Sequence, residues 1–356
     1  MSPSVLVAMS GGVDSSVAAC LLAERGYDVV GSHLKLVHTD GVEHGCCGPQ
    51  AESDAREVAE TAGFPFEVLD LSEVFEDRVI GDYLAEHEAG RTPNPCVRCN
   101  ERIKFGAFLD RAEELGADLV ATGHYVRTRR TGDGRWRLLR GLDRDKDQSY
   151  VLAGLTQRQL GRATFPVGEM TKAATRGHAE RLRLPVAGKP DSQDLCFAPA
   201  ADAGEFVAAR APHLARRGDV VDAEGRSLGV HQGAFRYTIG QRRGLGVSTG
   251  ERTYVVDVDS GANRVVVGPA ALLSRRGLEA ERVNWIAGRP AEPFEASVKI
   301  RYRGEEAAAV VAPVGDDGAR VEFRSPQRAV APGQSVVFYS GDEVVGGGTI
   351  TRAREG

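Results

Sequence analysis

The sequence lacks a long apolar run. Its N-terminal apolar stretch covers only residues 5–8 and is followed at once by serine and glycine, whereas a secretory signal or a membrane span needs a much longer one. We therefore expect a cytoplasmic protein that makes no use of a membrane. Internal repeats, low-complexity tracts and coiled-coil heptads are also lacking. For an ordinary globular protein, 356 residues predict two or three domains.

An excess of positive charge is lacking as well, since the formal net charge is −5. A nucleic-acid partner would therefore have to meet a local basic surface. One candidate is a predicted β-hairpin between residues 125 and 141. Its arginines are explained equally well if the hairpin is simply exposed to solvent. The basic residues in and beside it are Arg127, Arg129, Arg130, Arg135, Arg137, Arg140, Arg144 and Lys146.

The two commonest phosphate-binding motifs are absent. The glycine-rich stretch at residues 10–16, Ser-Gly-Gly-Val-Asp-Ser-Ser, has neither the Lys-Ser/Thr pair of Walker A nor the Gly-x-Gly-x-x-Gly of a dinucleotide loop. It nevertheless lies between an apolar strand pattern and a helical pattern, where paired glycines let backbone N–H groups and a helix N-terminus approach an anion. We expect Asp14 to cap this helix or to approach a phosphate-bound cation.

Strand and helix patterns alternate up to about residue 122, which predicts an α/β domain with a doubly wound parallel sheet. Ligands of such sheets bind at the carboxyl ends of the strands, where we place the glycine loop together with Leu34, Gly123 and His124. The expected strands are residues 5–8, 28–36, 66–71 and 118–122, and the expected helices are residues 17–22, 51–62, 72–88, 100–115, 156–161 and 171–182. From about residue 215 onward, alternating β-branched residues and frequent turns predict mostly β structure, ending in a small barrel.

Cysteine is scarce, with six residues at positions 20, 46, 47, 96, 99 and 196. In a cytosolic chain, such cysteines point to catalysis or metal binding before structural disulfides. Cys96 and Cys99 precede a helical pattern, where the helix N-terminus and Arg98 or Arg102 would favour a thiolate. Half of a zinc site or a buried apolar pair remain alternatives, although no second Cys-x-x-Cys completes a zinc site. Cys196 lies in a polar segment and could pair with either cysteine.

The pattern Ser-Gly-Gly-x-Asp-Ser-Ser resembles the PP-loop of ATP pyrophosphatases, which cleave ATP between the α and β phosphates and leave an adenylated intermediate. Beside such a loop, a reactive thiol pair suggests that adenylation turns an oxygen into a leaving group, which sulfur then replaces. Two alternatives stay open. One is a PP-loop enzyme that adds an amine or ammonia, such as a lysidine, GMP or argininosuccinate synthetase; the other is a non-catalytic RNA-binding protein with a zinc knuckle.

The chain as a whole resembles the bacterial tRNA-specific 2-thiouridylases, which thiolate the wobble uridine of certain anticodons. The matching stretches are residues 10–16, 45–47, 92–100, 103–105, 121–125, 146–150, 192–197, 237–242, 299–303 and 332–334. The resemblance implies a PP-loop domain at residues 1–204, a small, mostly β central domain at residues 205–272, and a C-terminal β-barrel that contacts tRNA at residues 273–356.

The same resemblance implies the site residues. ATP, with Mg2+, would be bound by Ala8, Met9, Ser10, Gly11, Gly12, Val13, Asp14, Ser15, Leu34 and Gly123. Cys196 would carry a persulfide delivered by a cysteine desulfurase or a sulfur-relay protein, and Cys99 would be the nucleophile that ends the cycle in a disulfide with Cys196. The target base and the rest of the tRNA would be contacted by Asn94, Pro95, Cys96, His124, Lys146, Asp147, Gln148, Arg301, Tyr302 and Gln334.

Cys96 departs from the pattern of some members of that family, which carry an aspartate there that is thought to assist proton transfer. A thiol cannot take over the role of a carboxylate. Either proton transfer is assisted from elsewhere, or Cys96, Cys99 and Cys196 together hold an iron–sulfur cluster. No other metal site is expected.

Overall fold

The computed structural model describes residues 2–37, 48–191, 195–198, 203–247 and 250–355. The chain divides into two compact units: unit 1 comprises residues 1–80, 95–200 and 342–345, and unit 2 comprises residues 81–94, 201–341 and 346–356. Within the described ranges, no helix has the length and apolar character that a bilayer crossing requires. Two of the matching stretches fall on residues outside these ranges, 45–47 completely and 192–197 in part.

Unit 1 is built on a five-stranded sheet of order β3-β2-β1-β4-β7. The strands of this sheet are β1 (Ser4–Ala8), β2 (Asp28–Lys35), β3 (Phe66–Asp70), β4 (Leu119–Ala121) and β7 (Ala163–Thr164). Two further strands of unit 1, β5 (Val126–Arg130) and β6 (Trp136–Arg140), pair antiparallel with each other outside this sheet. The helices up to residue 181 are α1 (Val13–Glu24), α2 (Pro49–Ala62), α3 (Ser72–Phe75), α4 (Gly81–Glu88), α5 (Pro95–Cys99), α6 (Phe108–Glu114), α7 (Gln157–Gly161) and α8 (Lys172–Arg181), of which α4 belongs to unit 2.

The five strands of this sheet run parallel, which confirms the predicted doubly wound α/β fold. Since β1 pairs with β2 on one side and β4 on the other, the strand order reverses beside β1. The turn between β1 and α1 therefore lies at the topological switch point, where such sheets bind their ligands. The apolar core beneath it includes Val5, Val7 and Val17.

The helix that carries the Cys-x-x-Cys begins earlier than predicted, because Pro95 starts α5 and places both cysteines inside the helix. Proline suits a first helical turn, since the N–H it lacks would have no partner there. A π-helical segment, Asn100–Ala107, joins α5 to α6. The side-chain amide of Gln159 donates to the carbonyl oxygens of Glu101 (3.0 Å) and Phe105 (2.7 Å), which satisfies backbone acceptors within the segment. A second π-helical segment, Glu76–Ile80, similarly joins α3 to α4 within the predicted helix 72–88.

Unit 2 contains two β-structures, which confirms the predicted change of character after residue 215. The four-stranded sheet has the order β10-β11-β8-β9, and a second group, β12-β15-β14-β13-β16-β17, closes into a barrel because β12 also pairs with β17. Closure leaves no exposed strand edge in the barrel. The elements are α9 (Ala203–Arg210), β8 (Gly218–Val221), β9 (Ser227–His231), β10 (Thr253–Asp259), β11 (Arg264–Pro269), β12 (Ser274–Trp285), β13 (Phe294–Lys299), β14 (Ala307–Val314), β15 (Gly318–Arg328), β16 (Ser335–Ser340) and β17 (Glu343–Arg354), whose first residues belong to unit 1. The domain boundaries after residues 204 and 272 stay predictions.

A buried carboxylate fixes the chain that follows α4 in unit 2. The Glu86 side chain is 7% exposed and accepts hydrogen bonds from Arg91 (Nε 2.6 Å, Nη2 2.9 Å) and Arg282 (Nη2 3.1 Å). The pairing with Arg91 is bidentate, which is the strongest geometry available to these groups. Removing one partner of such a buried set is costly, because the remaining charges lose their compensation.

We predict that Glu86→Ala lowers the free energy of unfolding of unit 2 by about 3 kcal/mol, since Arg91 would lose its bidentate partner and Arg282 would keep only its longer contacts to Asp82 (3.8 Å) and Glu281 (4.0 Å). The matched control is Glu88→Ala on the same helix, where the carboxylate is 49% exposed beside His213 and contributes at most about 1 kcal/mol. Urea unfolding would be followed by the fluorescence of Trp285, in a Trp136→Phe background that leaves it as the sole tryptophan. Equal midpoints for the two variants would refute the prediction.

Candidate active site

The turn between β1 and α1 leaves the start of the helix open to an anion. Gly11 has φ +64°, and a Cβ at that position would overlap the carbonyl oxygen of Ala51. Gly12 is the N-cap residue of α1, and no side chain caps the first turn. The expectation that Asp14 caps this helix is therefore wrong. The first-turn N–H groups of a 12-residue helix and the positive end of its dipole remain available to a phosphate.

Two neighbouring strands bring further predicted residues to the same edge. A Cβ on Gly123, just after β4, would lie 2.5 Å from the backbone nitrogen of Ser15, so this backbone closely approaches the first turn of α1. On the other side, Ala8 pairs in register with Ser32 of β2, which places Leu34 two residues beyond the end of β1. The structure thus brings the glycine loop, Leu34 and Gly123 together, as expected of a parallel sheet. That they bind ATP stays a prediction.

The carboxylate of Asp14 is held by two partners. The Lys172 ammonium lies 2.7 Å from Oδ1 and 2.8 Å from Oδ2, and the Tyr125 hydroxyl donates to Oδ1 at 2.8 Å. Burial, assisted by the nearby Asp14 charge, raises the pKa of Tyr125 and keeps this donor protonated. Because Lys172 compensates its charge, Asp14 does not present an open carboxylate to a cation. The predicted approach of Asp14 to a phosphate-bound cation stays a prediction.

No metal centre is formed by the described part of the chain, in which no three or more His, Cys, Asp or Glu side chains are grouped to hold an ion. Cys96, Cys99 and Cys196 are all described, so this arrangement does not fit the iron–sulfur cluster considered above. The described residues also form no carboxylate cluster for Mg2+. Mg2+ would therefore be held mainly by the phosphates of ATP.

The two cysteines of the Cys-x-x-Cys have different environments. Cys96 is exposed on the first turn of α5, whereas Cys99 is buried. The two residues are therefore not a buried apolar pair. Arg98, expected to favour a thiolate, is engaged with Glu101 at 2.8 Å, and Arg102 donates to the carbonyl oxygen of Arg78 at 2.8 Å.

Cys196 and Cys99 both adjoin one continuous helical segment. The ring of Phe197 packs against Phe75 of α3, with 6.0 Å between centroids. The π-helical segment that follows Phe75 packs against α5, which carries Cys99.

By contrast, Cys20 is buried in α1, and this burial raises the pKa of its thiol to about 11. A thiol with so high a pKa is unreactive at neutral pH.

The predicted tRNA contacts of unit 1 already have partners within the protein. His124 is buried, which holds its pKa well below the usual value, and its Nδ1 lies 2.8 Å from the Thr122 hydroxyl. Asp147 accepts from the Ser149 hydroxyl at 2.8 Å, and Gln148 accepts from the Tyr125 backbone at 2.9 Å. Lys146 pairs with Asp191 at 3.0 Å. Contact of these residues with RNA stays a prediction.

The hairpin arginines are more strongly compensated than the local sequence indicates. Asp342 pairs with Arg127 at 2.7 Å and also with Arg144, while Arg137 pairs with Glu343 at 3.0 Å and Asp133 at 3.2 Å. Asp133 belongs to the hairpin itself, but Asp342 and Glu343 are distant in sequence, so the local pattern does not reveal them. Arg129 and Arg130, in contrast, are exposed on β5.

Among the predicted tRNA contacts in unit 2, Gln334 has a clear structural partner. Its side-chain amide donates to the carbonyl oxygen of Thr92 at 2.8 Å, and the Thr92 N–H donates to Pro332 at 2.9 Å. Gly333, with φ +90°, allows this close approach. Gln334 thus fixes the chain two residues before Asn94. Tyr302 is exposed, and Arg301 donates to the Arg328 carbonyl at 3.3 Å.

Sequence reasoning missed three residues around the loop, namely Lys172, Tyr125 and Asp191. Lys172 lies 158 positions from the Asp14 it neutralises, and no local motif links the two residues. The sequence does contain one indication of Lys172. An acidic side chain such as Asp14 in a phosphate-binding loop needs a cation to compensate its charge, so a lysine or arginine is expected beside it in the fold.

Family models match almost the whole chain. One described as a tRNA methyl transferase HUP domain matches residues 3–200, one described as a tRNA methyl transferase PRC-barrel domain matches residues 204–269, and one described as an aminomethyltransferase beta-barrel domain matches residues 275–350.

Curated relatives match over nearly their full length. The chain is 50% identical to the tRNA-specific 2-thiouridylase MnmA of Heliobacterium modesticaldum, covering 99% of this chain and 93% of the relative. Proteins of the same name from Acidothermus cellulolyticus and Geobacter metallireducens are 49% and 48% identical, each over 98% of this chain and over 98% and 97% of the relative. Among solved structures, a 4-thiouridine synthetase–RNA complex with bound ATP aligns with a TM-score of 0.35 and 16% identity, over 59% of this chain and 50% of that one. That similarity is too low to carry an argument.

We predict that Gly123→Ala weakens ATP binding by about tenfold or more, or ~1.4 kcal/mol, because the new Cβ would overlap the first turn of α1. Gly132→Ala in the hairpin turn is the matched control, since a Cβ there meets no atom within 4 Å. Calorimetric titration with ATP measures both. Wild-type affinity in the Gly123 variant would show that the close approach of Gly123 to the first turn of α1 is not needed for ATP binding.

Proposed function

The chain belongs to the tRNA-specific 2-thiouridylases, a family of ATP-dependent sulfurtransferases, and we propose that it converts the wobble uridine of certain tRNA anticodons to 2-thiouridine. The observation that carries this proposal is the open first turn of α1 at the switch point of the sheet, in a chain 50% identical to a named 2-thiouridylase. A phosphate-binding helix start supports the use of ATP, and the thiols of Cys99 and Cys196 support the transfer of sulfur.

In the first half-reaction, residues 8–15 bind the phosphates of ATP through backbone N–H groups, with Leu34 and Gly123 enclosing the nucleotide. The C2 oxygen of uridine attacks the α-phosphorus, pyrophosphate leaves, and a C2–O–AMP intermediate results. Mg2+ bound to the phosphates would neutralise part of their charge. Adenylation converts the C2 oxygen, a poor leaving group, into part of AMP, a good one. This is why the reaction consumes ATP.

In the second half-reaction, the terminal sulfur of a Cys196 persulfide attacks C2 and AMP leaves with the former C2 oxygen. The Cys99 thiolate then attacks the Cys196 sulfur, so the sulfur–sulfur bond breaks, C2 keeps its sulfur, and a Cys99–Cys196 disulfide forms. Alternatively, Cys99 attacks first and releases sulfide, which replaces AMP. Both routes end in the same disulfide, and an external thiol must reduce it before the next cycle.

The partners in this proposal are tRNA and a cysteine desulfurase or sulfur-relay protein that loads Cys196, in the cytoplasm. Asn94, Pro95 and Cys96 would lie beside the target base, since they adjoin the nucleophile Cys99. His124, Lys146, Asp147 and Gln148 would contact the tRNA from unit 1. Arg301, Tyr302 and Gln334 would contact it from unit 2.

We predict that Cys196→Ala reduces 2-thiouridine in tRNA to background but leaves a first turnover of tRNA-dependent pyrophosphate release, because adenylation precedes sulfur transfer. Cys20→Ala is the matched control and should retain thiolation, since Cys20 is buried and unreactive. Mass analysis of tRNA nucleosides and a pyrophosphate assay provide the two readouts. Undiminished multiple-turnover, tRNA-dependent pyrophosphate release by both Cys196→Ala and Cys99→Ala would contradict the proposal and favour the addition of an amine or ammonia.

We also predict that Arg129→Ala combined with Arg130→Ala weakens tRNA binding and reduces the salt dependence of the binding constant, by roughly 0.9 in slope for each lost phosphate contact. Both side chains are exposed on β5. Arg137→Ala is the control and should change the slope less, since Asp133 and Glu343 already compensate Arg137. Binding measured at several salt concentrations tests this. An unchanged slope in the double variant would show that the hairpin does not contact the RNA backbone.

A further inference from the structure

The proposed function gives Cys96 no chemical step of its own. It is a third thiol in addition to Cys99 and Cys196, and the described residues do not group these cysteines as a metal site. Some members of the family carry an aspartate at this position, so the thiol is a reactive group that their cycle does without.

Cys96 and Cys99 lie at the boundary between the exposed and the buried side of α5. Cys99 is 6% exposed, whereas Cys96 is exposed. Val97 and Asn100, on either side of the helix position of Cys99, are buried, and Asn100 Nδ2 donates to the carbonyl oxygen of Val151 at 3.2 Å. A reductant from solvent therefore reaches Cys96 more easily than Cys99.

The spacing of the two cysteines suits a disulfide. Residues three apart on a helix lie about 60° apart around its axis, with Cβ atoms roughly 5–6 Å apart. A disulfide needs Cβ atoms roughly 3.5–4.5 Å apart, so a small closure is enough. Pro95 starts α5, which places Cys96 in the first turn. Because the N–H groups of a first turn make no intrahelical hydrogen bonds, this turn can adjust without breaking the helix.

The proposed cycle ends in a Cys99–Cys196 disulfide, which thiol–disulfide exchange can transfer within the chain. The Cys96 thiolate attacks the Cys99 sulfur, a Cys96–Cys99 bond forms, the Cys99–Cys196 bond breaks, and Cys196 leaves as a thiolate. One disulfide replaces another, so the protein neither gains nor loses electrons in this step. An external dithiol then attacks the exposed Cys96 sulfur, becomes a disulfide itself, and returns Cys96 and Cys99 to thiols.

We propose that Cys96 is the resolving cysteine of the catalytic cycle, which takes over the buried sulfur of Cys99 and frees Cys196 to accept the next persulfide. This role rests on the proposed function, because that function supplies the Cys99–Cys196 disulfide. Cys20, the remaining cysteine in the described part of the chain, is buried in α1 and does not compete for it.

The test follows the disulfides of one turnover by mass analysis. The protein is loaded by a cysteine desulfurase with cysteine, separated from both, and mixed with ATP and unthiolated tRNA in the absence of a reductant. Samples are quenched with acid and then alkylated with N-ethylmaleimide. Trypsin cleaves after Arg98, so Cys96 lies on the peptide 92–98, Cys99 on the peptide 99–102 and Cys196 on the peptide 184–210. Each pair of these cysteines therefore gives a distinct linked peptide.

In the wild type, we expect the Cys99–Cys196 pair to be replaced by the Cys96–Cys99 pair, in proportion to the 2-thiouridine formed, while Cys196 is recovered in alkylated form. In Cys96→Ser and Cys96→Asp, the Cys99–Cys196 pair should last at least about tenfold longer, since a neighbouring thiol attacks at a far higher effective concentration than one from solvent. Cys20→Ala is the matched control and should behave like the wild type. If neither Cys96 variant turns over, the wild-type time course decides alone.

The outcomes distinguish the resolving role from the proposed function. A wild type that forms 2-thiouridine and keeps the Cys99–Cys196 pair, with Cys96 alkylated, would overturn the resolving role and leave the proposed function intact. A Cys96–Cys196 pair would also overturn it, because Cys196 would stay blocked. A wild type that forms no 2-thiouridine, or forms it without any disulfide, would overturn the proposed cycle and the resolving role with it.

Discussion

The structure depends on how closely the backbone is packed around the first turn of α1. Gly11 allows the carbonyl of Ala51 to approach on one side, and Gly123 allows the end of β4 to approach on the other. Because α1 is buried along most of its length, the direction of its N-terminus is fixed by the core. The uncapped N–H groups are therefore held in one orientation, which is what a preorganised anion site requires.

Several described carboxylates are compensated by residues distant in sequence. Asp14 and Asp191 both pair with Lys172. Glu86 pairs with Arg91 and Arg282. Asp342 pairs with Arg127 and Arg144. Such pairs contribute little when they are exposed, but they fix geometry where they are partly buried. In unit 1 they connect the phosphate-binding loop to the chain that follows α8. In unit 2 they fix the chain that leads to Asn94.

Local rules predicted the sheet and its helices well, because those elements follow from the periodicity of apolar residues and from end signals. The helix after residue 48 ends at Gly63 in a left-handed conformation, and the Thr171 side chain caps α8 by accepting from the Ala174 N–H. Where such rules failed, a distant group was the cause. Asp14 lies inside α1 and not at its N-cap, and its side chain is held by Lys172 and Tyr125. Gln159 supports a π-helical segment that no apolar pattern indicates. The basic character of the hairpin was overestimated for the same reason.

The proposed function depends on one sequence of steps, in which the C2 oxygen of the target uridine is adenylated and then replaced by sulfur. The most direct measurement uses tRNA whose wobble uridine carries 18O at C2, incubated with the protein, ATP and a sulfur donor. We expect the 18O to be recovered in the phosphate of AMP, in proportion to the 2-thiouridine formed. Formation of 2-thiouridine with unlabelled AMP would contradict it, because the C2 oxygen would then have left without being bonded to phosphorus.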